Sequence, residues 1–183
     1  YNASATTAVR PNCRIRFRFI STRDASGDAP DASGGRSPRR WAVGQTRPAM
    51  TTDPTRIFVD LPRVRLGALD YGEPRPDAVP VVMLHGQADL AWSMDPVARR
   101  LADRFRVVSL DLRGHGESGH PGGYSLIEFI GDLRGVVDGL GLDRPVLVGH
   151  SLGGQVAAQF SGLFPTIPRA LVVAEGVGPP VRM

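Results

Sequence analysis

Pro145-Val146-Leu147-Val148-Gly149-His150-Ser151-Leu152-Gly153-Gly154-Gln155-Val156-Ala157-Ala158-Gln159-Phe160 changes pattern once, at its central glycines. Val146 to Val148 is a short apolar run of the kind that forms a buried strand, and after Gly153 small and apolar residues resume at helical spacing. Between the two, Gly149-His150-Ser151-Leu152-Gly153 matches G-x-S-x-G, a sharp strand-to-helix turn that lifts a serine hydroxyl clear of the backbone. A serine in such a turn sits in a strained conformation, so its neighbours must be small for strand and helix to pass closely. The first N–H groups of the helix, starting at Leu152, then point back to where a negatively charged oxygen would form. Ser151 is the candidate nucleophile. A Gly-Ser turn without chemistry is the alternative, and the strand before, the helix after and the motifs upstream weigh against it.

The chain has 183 residues, enough for one domain with a real core, and no apolar run approaches a membrane span. Its one cysteine, Cys13, excludes an internal disulfide framework and fits a reducing compartment, so the expected location is cytoplasmic. The basic balance is local. Residues 1–49 hold nine Arg against three Asp, whereas residues 50–183 hold thirteen Arg against fifteen acids. Lysine is absent throughout, which reads as a coding bias. Basic and aromatic residues are not interleaved on the part that folds, so no nucleic-acid partner is expected, and no membrane partner either.

Residues 1–49 show no apolar stripe. Asp24 to Pro38 is rich in small, structure-breaking residues, while Arg14 to Phe19 alternates like a short, isolated strand. Three descriptions fit this leader: a disordered extension, an Arg-rich transit peptide, or non-native translated upstream sequence ahead of a start at Met50. The domain is expected over 50–183.

From there the pattern is regular. Arg56–Leu61 and Val64–Tyr71 read as paired strands, and Val79–Leu84 as a strand buried on both faces. Asp95–Phe105 reads as a helix with Asp95 as its cap and Pro96 in its first turn. Arg106–Asp111 is the next strand, running into the glycine-rich turn Leu112–Ser118. Ser125-Leu126-Ile127-Glu128 is a capping box, followed by the stripe Leu126, Phe129, Ile130, Leu133, Val136, Val137 and Leu140. After the serine turn and its helix, Ala170–Glu175 is another apolar strand. Alternating apolar strands and helices predict an α/β fold, a mostly parallel sheet covered on both faces, with functional groups at the carboxyl ends of the strands. His85, Asp111, Ser151 and Glu175 all fall there.

Three motifs in order, His85-Gly86-Gln87, Asp111-Leu112-Arg113-Gly114-His115-Gly116-Glu117-Ser118 and Gly149-His150-Ser151-Leu152-Gly153-Gly154, make residues 64–180 resemble the α/β-hydrolase superfamily, within it the compact serine esterases and C–C-bond hydrolases. The resemblance implies a cofactor-independent hydrolase acting on a small-molecule ester or similar carbonyl through an acyl-enzyme, with backbone N–H groups of Leu152 and Gln87 as the oxyanion hole. His85, Gly86, Gly149 and Gly153 would support that geometry. A serine at 151 argues against the dehalogenases and epoxide hydrolases of this fold, which attack with an aspartate. Many relatives carry an aromatic residue where Gln87 stands; its side chain would bond substrate or simply face water. No metal cluster, dinucleotide loop or phosphate loop is visible, so neither metal nor cofactor is expected.

By the same resemblance, an acid and then a histidine should follow the serine. Glu175 is a possible triad acid, or else a structural or substrate-facing carboxylate, and Asp111 is expected to close its own turn by accepting backbone N–H groups. None of the four histidines, His85, His115, His120 and His150, follows Ser151, and none suits the general base. The chain therefore reads as the amino-terminal portion of such a domain, truncated before the lid and the last strands, and nearly inactive alone. A receptor that binds small molecules on the hydrolase fold, or an inactive truncated product, are the alternatives.

Overall fold

Successive side chains of the central strands enter two different cores in turn, and this decides the layers. The computed structural model describes residues 17–20, 53–72 and 74–176. In β4 (Pro80–Leu84), Val82 and Leu84 belong to one core cluster and Val81 and Met83 to the other. β5 (Arg106–Leu110) and β6 (Val146–His150) repeat this, with Val108, Leu110 and Leu147 on the first face and Val107, Val146 and Val148 on the second. A strand apolar on both faces needs two covers. α2 (Leu126–Gly139) and α3 (Leu152–Leu163) supply one, and α1 (Asp95–Leu101) the other.

The sheet has seven strands in the order β1-β7-β6-β4-β5-β3-β2. β4, β5, β6 and β7 (Ala170–Ala174) run parallel, while β2 (Thr55–Asp60) and β3 (Arg65–Asp70) form an antiparallel hairpin whose second strand pairs antiparallel with β5. β1 (Phe17–Ile20) pairs parallel with β7 at the far edge. It overlaps the alternating Arg14–Phe19 stretch of the leader; the rest of residues 1–49, Cys13 and Met50 included, lies outside the described residues. The α/β architecture read from the sequence is the one observed.

Strand order also locates a topological switch point. From β4 the chain steps to β5 on one side, then crosses back to β6 on the other side of β4. Right-handed crossovers in opposite directions put their helices on opposite faces, so the loops leaving β4 and β6 part from each other. Register completes the picture: Leu84 pairs with both Leu110 and Gly149, and His150 with Ala174. The residues that follow, His85, Asp111, Ser151 and Glu175, therefore emerge at one edge of the sheet.

Ser125 and Glu128 cap α2 as expected: the Glu128 carboxylate accepts the Ser125 N–H at 2.9 Å and its hydroxyl at 2.7 Å. Phe129, Ile130, Leu133, Val136 and Val137 are buried, with Leu126 and Leu140 packed at the margin. α1 differs from expectation. A 3-10 turn, Ala91–Met94, leads into it, Met94 takes the cap position, and the helix ends at Leu101. Asp95 is not the cap because its carboxylate is engaged elsewhere: it accepts the Tyr71 hydroxyl at 2.9 Å and the Arg99 Nε–H at 2.8 Å. Arg104 and Phe105 both donate to the Leu101 carbonyl, and this tightened turn hands the chain to β5.

Candidate active site

Ser151 lies between β6 and α3 with φ 49° and ψ −114°, a conformation that costs a non-glycine residue about 1–3 kcal/mol. Two contacts hold it there. Its N–H donates to the Ala174 carbonyl at the end of β7, and its own carbonyl accepts the Gln155 N–H one turn into α3. The neighbouring glycines are required sterically. A Cβ on Gly149 would sit 2.6 Å from the Gly154 Cα, and one on Gly153 would sit 2.6 Å from the His85 carbonyl oxygen. The Gly153 N–H donates to that same carbonyl at 3.1 Å, which stitches the end of β4 to the first turn of α3. Leu152 is the first residue of α3, so its N–H has no helical carbonyl four residues back to bond.

Gly86 follows β4 and faces the same point. A Cβ there would lie 3.4 Å from the Ser151 Cβ and 2.9 Å from the His150 Nδ1. The His150 ring edge and the serine thus both lie beside Gly86, where a side chain would otherwise stand. Gln87 is exposed, and Ala88 turns the chain with φ 58°.

The loop after β4 is braced by the segment after β5. His85 is fully buried; its Nε2 accepts the Leu112 N–H at 3.0 Å and its Nδ1 lies 2.7 Å from the Gly86 carbonyl. Burial pushes the His85 imidazolium below its ordinary pKa, the Gly86 carbonyl opposes this, and His115 adds to it. His115 stacks edge-on against His85 at 5.1 Å, takes the Ala88 N–H on Nε2 at 3.2 Å, and sets Nδ1 3.0 Å from the Arg113 carbonyl. Ala91 is held twice, its N–H by Asp111 at 2.6 Å and its carbonyl by the Ser109 hydroxyl at 2.9 Å.

Asp111 is fully buried and also accepts the Glu117 N–H at 3.1 Å, so it closes its own turn. Its charge is balanced by Arg56 Nη1 at 2.8 Å, and Arg56 also reaches Glu117 at 3.0 Å. Arg113 fixes the same turn to α2 through two 2.7 Å bonds to Asp132.

Glu175 stands just past β7 with φ 63° and is exposed, its backbone carbonyl close behind Gly154. His120 is exposed on the loop before α2. Two features at this edge were not singled out from sequence. Asp89 receives the Ser93 hydroxyl at 2.8 Å and the Leu90 N–H at 2.9 Å. Burial raises its pKa, but those two bonds, with His85 and His150 nearby, outweigh it and hold the carboxyl below the usual range. Arg56 is the other, and no local signal marks it, since its partner lies 55 positions away. Among the described residues no group of three or more His, Cys, Asp or Glu side chains is placed to hold a metal ion. No described helix is long and apolar enough to cross a membrane.

Residues 79–182 match the family model described as alpha/beta hydrolase fold. The chain belongs to the α/β-hydrolase family. Within it, the chain is 30% identical over 118 residues to a 2-(acetamidomethylene)succinate hydrolase of Mesorhizobium japonicum, covering 64% of this chain and 41% of that protein. It is 34% identical over 119 residues to epoxide hydrolase 1 of Caenorhabditis elegans, covering 63% of this chain and 29% of the relative. Among solved structures, E-2-(acetamidomethylene)succinate hydrolase superposes with a TM-score of 0.64 at 29% identity, over 70% of this chain and 47% of the other. The α/β-hydrolase chain described here thus spans less than half the length of these relatives.

Proposed function

We propose that this α/β-hydrolase is a serine hydrolase acting on a small-molecule ester or similar carbonyl compound. The Ser151 hydroxyl oxygen attacks the carbonyl carbon and gives up its proton, and the tetrahedral oxyanion is held by the N–H groups of Leu152 and Gln87. Its collapse breaks the acyl C–O bond so that the alcohol leaves with that proton; water then attacks the acyl-serine, releasing the acid and restoring the Ser151 hydroxyl. The observation that carries this reading is the backbone of Ser151, held at φ 49° between β6 and α3 by bonds on both its N–H and its carbonyl. A strained conformation braced from both sides marks a residue whose placement matters. Serine rather than aspartate at this turn favours attack on a carbonyl over opening of an epoxide.

In this reading Glu175 supplies the triad acid from the end of β7. His85 and His115 are set aside as the base, because both ring nitrogens of each are occupied within the loops. No histidine follows Ser151 in the sequence. Among the described residues no imidazole hydrogen-bonds the Ser151 hydroxyl, and the oxyanion hole and binding alone leave roughly 10³–10⁴-fold catalysis over water, so turnover is expected to be slow.

The test is hydrolysis of p-nitrophenyl acetate together with labelling by a fluorophosphonate, for the full chain and for Ser151→Ala. Turnover and label should both be lost in the variant. Equal turnover and equal labelling with alanine at 151 would refute the assignment.

A further inference from the structure

His85 has no chemistry to perform if Ser151 is the nucleophile, yet it is a fully buried polar side chain with a partner for each ring nitrogen. Those partners are single-role groups. The Leu112 N–H can only donate, so Nε2 must be the bare nitrogen; the Gly86 carbonyl can only accept, so Nδ1 must carry the proton. The ring is therefore the neutral Nδ1–H tautomer, donating to Gly86 O at 2.7 Å and accepting from Leu112 at 3.0 Å.

The Gly86 carbonyl is one half of the Gly86–Gln87 peptide. The described residues contain no cis peptide bond, and in a planar trans peptide the N–H points opposite to the C=O. Fixing the carbonyl therefore fixes the direction of the Gln87 N–H. That N–H lies in the same peptide plane as the Gly86 Cα, beside which a Cβ would meet Ser151 and His150. Leu112, in turn, follows Asp111, whose carboxylate is locked by Arg56 and by the N–H groups of Ala91 and Glu117.

We propose that His85 is a positioning residue: its Nδ1–H tethers the Gly86 carbonyl and thereby aims the Gln87 N–H as an oxyanion donor, with Leu112 holding the required tautomer. This rests on the serine-hydrolase reading above.

Two near-isosteres separate the halves of the ring. His85→Asn keeps an amide N–H near the Nδ1 position and gives up Leu112; His85→Gln keeps an acceptor near the Nε2 position and gives up Gly86. Each loses one buried hydrogen bond, so both are expected to be destabilised comparably in urea. Because turnover of this chain rests on the oxyanion donors, it reports their aim directly. Removing one such donor costs about 10²–10³-fold in kcat, so mis-aiming it in His85→Gln should lower kcat on p-nitrophenyl acetate roughly 10- to 100-fold at little changed KM. His85→Asn should recover about tenfold over His85→Gln. Equal kcat losses in the two variants, or a greater loss in His85→Asn, overturn the proposal.

A second readout is independent of turnover. In ¹⁵N-labelled full chain the Gln87 amide resonance should move several times further in His85→Gln than in His85→Asn, whereas equal or reversed shifts overturn the positioning role. Absence of Ser151-dependent turnover in the unsubstituted chain would refute the hydrolase reading alone, and the amide resonance would still decide the role of His85.

Discussion

Gly153→Ala adds one methyl group where two backbones cross. The new Cβ would stand 2.6 Å from the His85 carbonyl oxygen, about 0.8 Å inside ordinary van der Waals contact, and the Leu84 carbonyl oxygen would be closer still. Both obstacles are backbone at the end of the central strand β4, so no rotamer change relieves them. Overpacking of this kind costs about 1–3 kcal/mol. Pushing α3 off β4 also strains the 3.1 Å bond from the Gly153 N–H to His85, worth about 1 kcal/mol, while alanine's better helix propensity returns about 1 kcal/mol. The expected loss is about 1–3 kcal/mol.

The matched control is Gly131→Ala, in the middle of α2, where an added Cβ meets nothing within 4 Å. There only the propensity term acts, and the variant should gain about 0.5–1 kcal/mol. Urea unfolding followed by far-UV circular dichroism measures both. The same substitution should move stability in opposite directions, with the two variants separated by roughly 2–4 kcal/mol. If they differ by less than about 0.5 kcal/mol, the close crossing of β4 and α3 is not what these glycines are for.

Two other outcomes follow from buried charge. Asp132→Ala leaves the Arg113 guanidinium, which is only 4% exposed, without its bidentate partner, and should cost about 3–5 kcal/mol in the same urea assay; Glu128 at 3.0 Å softens the loss toward the lower figure. Stability should also fall on mild acidification: His85 stays neutral in the fold chiefly because it is buried, with His115, Asp111 and Asp89 the ionisable groups around it, whereas in the unfolded chain it protonates near its ordinary pKa of about 6.5. The unfolded state then binds the extra proton, so the loss begins below about pH 6.5 and steepens to at most about 1.4 kcal/mol per pH unit; His85→Asn should flatten the slope between pH 6.5 and 5, and an unchanged slope would remove His85 from the account.

What the sequence made legible was what local chemistry dictates. The runs at 80–84, 106–110, 146–150 and 170–174 read as largely apolar strands of one sheet, and the glycines around Ser151 and after His85 marked the turns at their ends. Ser125 and Glu128 announced the start of α2 because a capping box is complete within four residues. The start of α1 was misread for a long-range reason: Asp95 has the chemistry of a cap, but Tyr71, 24 positions earlier, already holds its carboxylate. Arg56 was invisible for the same reason. Nothing near it in the chain says that a buried aspartate 55 positions on will need its charge.

These long-range partners share a logic. The loop after β4 is bonded by Ser109, Asp111, Leu112 and His115, all from the segment that ends β5, at Ala91, His85 and Ala88. The serine turn after β6 is held from its other side by Ala174 of β7. Each of these two loops is thus fixed by the strand beyond it, and in the proposed reading that bracing would hold the Leu152 and Gln87 N–H groups in place before substrate arrives. That arrangement suits electrostatic stabilisation, which is effective when its dipoles need not reorganise during the reaction. Asp111 has a structural use in the same bracing: its carboxylate oxygens are taken up by Ala91, Glu117 and Arg56, which ties the first loop to its neighbours.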